Sequence, residues 1–208
     1  RASPLGESKR GGAVARRIRR TAKRTARNII SQYADSSFKP MQMEFVFGQN
    51  GISPILLELA DGTFVYLQGR IDRIDMTADG AVRIIDYKSG GKKFDPTLVY
   101  WGLQLQLLLY MAAAIARIPE SRAAGFFYCR VADPIVKTEI RMKEEVEKQI
   151  AKKLALSGIT LSDVSILRAQ GGAQAGMITK DGKPNGRYAS SMVTDEGMEH
   201  LIAFARNK

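Results

Sequence analysis

Between Gly69 and Gly90 the chain reads GRIDRIDMTADGAVRIIDYKSG, and no other stretch limits its fold as much. Apolar and polar residues alternate on both sides of Ala78-Asp79-Gly80. An Asp-Gly step between two such runs signals a β-hairpin. Successive side chains of a strand face opposite sides. Val82, Ile84, Asp86 and Lys88 therefore share one face of the second strand, and Arg83, Ile85 and Tyr87 share the other. In the strand before it, Asp72 shares a face with Arg70 and Ile74. Pairing around Ala78–Gly80 brings Asp72 towards Asp86. Two carboxylates and an ammonium then converge at the end of a sheet whose other residues read as core.

That grouping has a chemical use. Two carboxylates suit a hard cation such as Mg²⁺, which keeps several waters and binds substrate phosphate. The cation polarises a phosphodiester and acidifies a bound water. Lys88 is suited to position that water and to offset the charge of the transition state. The same three residues also read as a solvated ion-pair cluster on an edge strand. Composition narrows the chemistry: the chain has one Cys, Cys129, and one His, His200. A disulfide within the chain, a cysteine-held zinc or iron–sulfur site and a His-rich metal cage are excluded. No Gly-rich phosphate loop or cofactor fingerprint is present.

The 208 residues suit one domain of 13–208 after a polar, flexible lead-in of 1–12. Val14, Ile18, Ala22, Ala26, Ile29 and Tyr33 recur at helical spacing and predict a helix over Ala13–Tyr33. Strands are expected at Met43–Gly48, Ile55–Ala60, Thr63–Met76 and Ala81–Ser89, forming an antiparallel meander. A buried helix over Thr97–Ile118 follows, then a strand at Gly125–Val131. Met142, Val146, Ile150 and Leu154 mark an amphipathic helix. Asp163–Arg168 reads as a strand, Gly171–Arg187 as an exposed loop or ribbon, and Thr194 as the cap of a last helix. The expected fold is α/β: a mixed, largely antiparallel central sheet flanked by helices.

From Lys9 to Arg27 there are nine basic residues and no acid, which supply most of the net charge of +11. A polyanion is the natural partner. Arg16, Arg17, Arg20, Lys23, Arg24 and Arg27 are the candidate DNA contacts on that helix. A solvated face, or a face packed on other protein, explains the same residues. No apolar run approaches the ~20 residues that span a bilayer, so no membrane partner is expected. In the Thr97–Ile118 helix, Gln106 and Tyr110 stand four apart, with Gly102 one turn earlier. Gln106 either lines the site or ties down neighbouring backbone.

Taken together, G-R-I-D (Gly69–Asp72), I-D-Y-K-S (Ile85–Ser89) and Q-L-L-L-Y (Gln106–Tyr110) resemble the RecB-like branch of the PD-(D/E)XK nuclease superfamily. SSFKPMQMEFVFG, VYWGLQLQLLLYM and GFFYCRVADPIV resemble the nuclease domains of AddB-type helicase–nuclease subunits. The resemblance implies a restriction-endonuclease-like fold and Mg²⁺-dependent hydrolysis of DNA, with Mn²⁺ able to substitute. It implies Asp72, Asp86 and the Tyr87 carbonyl as metal ligands, Lys88 as the catalytic lysine, and Gln106 and Tyr110 as supports of the site and its DNA strand. Glu44 is a weaker candidate for an accessory acid. The implied setting is double-strand-break processing in the bacterial cytoplasm, beside an AddA-like partner. The alternative is a non-catalytic DNA-binding or scaffolding module that kept the fold.

Two departures stand out. Members of this branch usually carry a metal-binding His on an upstream helix, and His200 is not so placed. AddB-type domains also often hold an iron–sulfur cluster through cysteines. One cysteine cannot do so, although a parent protein could. The chain opens on Arg1 and is read as a piece of a larger protein.

Overall fold

A computed structural model describes residues 9–49, 53–58, 61–136 and 143–207. Helix α1 (Lys9–Ala34) leads into β1 (Lys39–Phe47). A short hairpin of β2 (Ile55–Glu58) and β3 (Phe64–Leu67) forms a sheet of its own. Then come β4 (Gly69–Met76), β5 (Ala81–Lys88), α2 (Pro96–Tyr100), α3 (Gln106–Arg117) and β6 (Arg122–Arg130). The chain continues through α4 (Lys143–Leu154), β7 (Ser157–Leu161), α5 (Val164–Ala169), β8 (Met192–Val193) and α6 (Asp195–Asn207).

The main sheet has six strands in the order β1-β4-β5-β6-β7-β8. β4 and β5 form the expected hairpin, with Arg73 opposite Ile85 and Met76 opposite Val82. Gly80 closes its turn at φ 83°, a conformation that side chains resist. β5 and β6 pair in parallel, and such a pair needs a crossover, which α3 supplies. β1–β4 and β6–β7 are antiparallel, and β7–β8 is parallel. The mixed, largely antiparallel sheet flanked by helices is the architecture expected.

One face of the sheet carries the main core. Ile74, Val82, Ile84 and Phe126 pack there with Leu107, Leu108 and Met111 of α3 and Met198 and Ile202 of α6. Each such side chain contributes about 1.5–3 kcal/mol by leaving water. The other face holds a small apolar cluster of Ile85, Phe127, Cys129 and Leu156. Beside it lies a charge network. Arg73, Asp75 and Arg83 are each 0% exposed. Asp75 Oδ2 accepts hydrogen bonds from Arg73 Nη2 and Arg83 Nε, both at 2.9 Å. Gln32 and Tyr33 of α1 and Gln170, just past α5, bond to the same three residues.

Several expectations need correction. Residues 1–8 of the lead-in lie outside the described residues, and Lys9–Gly12 are already helical. The apolar stripe of α1 is not its packing face: Val14 is 40% and Ile18 56% exposed, while Gly11 and Gln32 are buried. The helix docks instead through the polar groups of its last turns. Asn28 Nδ2 donates to the Leu154 carbonyl at 3.2 Å, and Gln32 reaches Arg73.

Thr63–Met76 is not one strand. β3 and β4 pair in different sheets, with Gln68 between them. The helix expected over Thr97–Ile118 breaks at Gly102, whose φ of 74° no helix accommodates, so Gly102 does not share a helix with Gln106. Asp163 does not begin a strand: its carboxylate caps α5, accepting from the Ser165 N–H at 2.7 Å. The strand beside β6 is β7. The start of the Gly171–Arg187 segment is not loose loop. It forms 3₁₀ turns over Gly171–Met177, with Gly171 packed on Asp35. Met142, expected in α4, and residues 59–60, expected in the second strand, lie outside the described residues.

Candidate active site

The ladder between β4 and β5 stops at Arg73 opposite Ile85. One step further, Asp72 stands across from Asp86. There a side chain continues what the backbone began: Asp72 Oδ2 accepts the Tyr87 N–H at 2.7 Å. Asp86 is almost wholly buried, its side chain 4% exposed. Lys88 Nζ lies 2.6 Å from Asp86 Oδ2 as an ion pair. Burial pushes the Asp86 carboxyl above the ordinary aspartate range; Lys88 opposes the shift and the Asp72 charge adds to it.

Tyr128 of β6 pairs in register with Asp86. Its hydroxyl is buried without a partner, and its pKa is pushed up to about 12, first by burial and then by Asp86 and Tyr110. Lys88 and Lys92 lie over its ring, 5.7 and 5.0 Å from the centroid. On α3, Gln106 Nε2 donates to Tyr110 Oη at 3.0 Å. Tyr110 meets the Phe47 ring edge-on at 5.9 Å, over the start of β4. The structure therefore brings Asp72, Asp86 and Lys88 together, and among the described residues the Gln106–Tyr110 pair is linked to them only through the electrostatic effect of Tyr110 on Tyr128. The Tyr87 side chain points to the opposite face, where its hydroxyl accepts from Arg73 Nη1 at 2.8 Å.

Glu44 stays apart. Its φ of 53° is strained for a non-glycine residue, and its carboxylate pairs with Arg70 at 2.9 Å on the exposed rim. Among the described residues, no three His, Cys, Asp or Glu side chains form a metal-holding group. The carboxylates that the structure brings together are two, Asp72 and Asp86. They fit a hard divalent cation that keeps much of its water.

Of the expected DNA contacts on α1, Arg16, Arg17, Lys23 and Arg27 are exposed. Arg20 and Arg24 instead reach Asp133, at 3.3 and 3.5 Å, and Arg24 also pairs with Glu147 at 2.6 Å. Three residues near the site are marked by no motif. Tyr128 is placed by β6, and Lys92 by the loop after β5. Gln104, 3% exposed, bonds the Asp95 N–H and the Lys93 carbonyl, pinning the loop between β5 and α3. The run LQLQ holds two glutamines, and spacing to Tyr110 marks only Gln106. Cys129 is buried, and its Sγ takes contacts from Gln32 at 3.6 Å and Asn28 at 3.9 Å. Among the described residues, no helix is long and apolar enough to cross a membrane.

A family profile described as the PD-(D/E)XK nuclease superfamily matches residues 1–175. The chain is 42% identical, over 162 aligned positions, to the B subunit of the ATP-dependent helicase/deoxyribonuclease of Alkaliphilus metalliredigens, covering 73% of this chain and 14% of that protein. The protein of the same name from Acetivibrio thermocellus is 40% identical over 176 positions, 80% of this chain and 15% of the relative. That from Clostridium botulinum is 37% identical over 220 positions, 97% of this chain and 19% of the relative. The chain spans less than a fifth of the length of these curated relatives.

Proposed function

The chain belongs to the PD-(D/E)XK nuclease superfamily, and on that premise we propose that it hydrolyses DNA phosphodiesters with a divalent cation, Mg²⁺ or in its place Mn²⁺. The observation that carries the reading is the convergence of Asp72, Asp86 and Lys88 at the end of the β4–β5 hairpin. Asp72, Asp86 and the Tyr87 carbonyl are the proposed ligands. The cation supplies Lewis acidity at the phosphate and an acidified water. Lys88 holds a proton donor at the buried Asp86 oxygen, where it orients water and offsets charge gathering on the phosphate. Gln106 and Tyr110, bonded to each other, present a polar edge from α3 to the substrate strand. The names of the relatives support a place as a subunit of a helicase–deoxyribonuclease; an AddA-like partner, action on broken DNA ends and the bacterial cytoplasm belong to the same proposal. An iron–sulfur cluster, if the parent holds one, takes its cysteines from beyond this chain.

A second reading is a DNA-binding module without turnover. It is favoured by the lack, among the described residues, of a third acidic or His ligand. Cleavage of end-labelled linear DNA in Mg²⁺, Mn²⁺ or EDTA separates the two. The nuclease reading expects cutting that EDTA abolishes and that Lys88→Ala slows by ~100-fold or more. Asp86→Ala should abolish cutting and leave DNA binding largely intact. Salt-sensitive DNA binding with no metal-dependent cutting establishes the second reading.

A further inference from the structure

The ladder between β4 and β5 ends at Arg73 opposite Ile85, yet β4 holds Tyr87 of β5 at both of its ends. The Tyr87 N–H donates to Asp72 Oδ2 at 2.7 Å, and its hydroxyl accepts from Arg73 Nη1 at 2.8 Å. Asp72 and Arg73 are consecutive, so their side chains leave opposite faces of the strand. Two straps, one on each face, thus continue the pairing where the ladder stops. Arg73 is itself fixed on three sides. Its Nη2 donates to Asp75 Oδ2 at 2.9 Å and to Gln32 Oε1 at 3.3 Å, and its guanidinium lies 4.7 Å from the centroid of the Tyr33 ring. Gln32 and Tyr33 belong to the last turns of α1. Gln32 is 2% exposed and Arg73 0%, so water does not compete for these contacts. A continuous line of contacts runs from α1 through Arg73 and Tyr87 to Asp72.

We propose that Gln32, Arg73 and Tyr87 are positioning residues, which hold Asp72 ready for a divalent cation and make cation affinity depend on the docking of α1. Arg73, immobilised by α1 and Asp75, fixes the Tyr87 ring and with it the backbone at the end of β5. The Tyr87 N–H then fixes the rotation of the Asp72 carboxylate through one of its two oxygens. Groups that orient a ligand without touching the metal commonly set its affinity by about 10–100-fold. The coupling is reciprocal, so a cation at Asp72 also stabilises the docked turns of α1. Arg83 and Gln170 form the other arm of the buried network: Gln170 Oε1 accepts from Arg83 Nη1 at 2.8 Å, away from Tyr87. That Asp72 holds a cation rests on the nuclease reading above; the two straps do not.

The test is calorimetric titration of the whole chain with Mn²⁺, with a melting curve for every variant. Tyr87→Phe removes the hydroxyl and keeps the ring, and should weaken Mn²⁺ binding about tenfold. Gln32→Leu should weaken it at least about fivefold. Gln170→Leu takes an equally buried amide from the other arm and should leave the affinity within about twofold. Hydrogen exchange of the unaltered protein reads the coupling in the other direction. Mg²⁺ should slow exchange in residues 28–34 of α1 about fivefold more than in α6. That measurement needs no variant, and it stands should Gln32→Leu not fold.

Mn²⁺ affinity unchanged in Tyr87→Phe or in Gln32→Leu overturns the positioning role. So does an equal loss in Gln170→Leu, because the network would then act on stability alone. Exchange in α1 that ignores Mg²⁺ overturns it as well. A chain that binds no Mn²⁺ at all loses the metal-dependent nuclease reading and the positioning role together. One that binds Mn²⁺ and cuts DNA, with Tyr87→Phe binding as wild type, keeps the nuclease reading and loses the positioning role.

Discussion

Burial holds the Asp86 carboxyl above the ordinary aspartate range, and Lys88 at 2.6 Å offsets only part of that. The sign of the consequence follows from linkage. A carboxyl raised in the fold favours the protonated state, so its stabilising share is complete at low pH and is lost as pH rises through the shifted value. At neutral pH the metal-free protein therefore carries an unfavourable charge at this residue. Asp86→Asn should raise the melting temperature in EDTA by about 2–4 °C, the worth of ~1 kcal/mol in a domain of this size. It should also abolish binding of Mn²⁺ measured by calorimetry. In the unaltered protein, Mn²⁺ affinity should start to fall, as pH is lowered, before an ordinary aspartate would protonate. A variant that melts lower and still binds Mn²⁺ would place the metal elsewhere.

Among the elements, the hairpin of β4 and β5 was legible because its signal is strictly local. Alternation of period two and one Asp-Gly turn set the register, and the register set Asp72 across from Asp86. What was not legible depends on partners distant in sequence. Alternation marks Arg73, Asp75 and Arg83 as polar; it cannot show that α1 covers them. The apolar run before Tyr110 reads as one helix, until the backbone at Gly102 turns left-handed and Gln104 ties the loop back on itself. Asp163–Arg168 reads as a strand from its apolar residues, and the cap that the Asp163 carboxylate gives α5 shows only in the fold.

The buried network also gives the clearest stability test at this scale. Asp75 is the acid bonded to both guanidiniums. Burial pushes Arg83 down, while Asp75 lifts Arg73 against the same penalty. Removing one partner of a buried ionic group costs about 3–5 kcal/mol. Asp75→Ala should lower unfolding free energy in urea by that amount or prevent folding. A change under ~1 kcal/mol would mean that water reaches the arginines.

For the molecule as a whole, charge is distributed by task. The +11 net charge is concentrated on α1, whose exposed Arg16, Arg17, Lys23 and Arg27 project from a helix docked by its last turns. Arg20, itself still exposed, and Arg24 pair with Asp133, and Arg24 with Glu147, fastening that helix to the β6–α4 side. The site carries its own ion pair. Among the described residues, the cations of α1 form no hydrogen bond or ion pair with Asp72, Asp86 or Lys88, so they act through their field and belong to association rather than to chemistry. Changing Arg16, Arg17, Lys23 and Arg27 together to Gln should slow association with DNA about tenfold at low salt. The difference should shrink as ionic strength rises and the Debye length falls below ~10 Å. The dissociation rate should stay within about twofold, because loss of steering acts on encounter rather than on the bound contacts. Stopped-flow association at several salt concentrations reads both quantities. An unchanged association rate, or a loss seen mainly in dissociation, would make the exposed face of α1 a surface for other protein rather than an electrostatic guide for DNA.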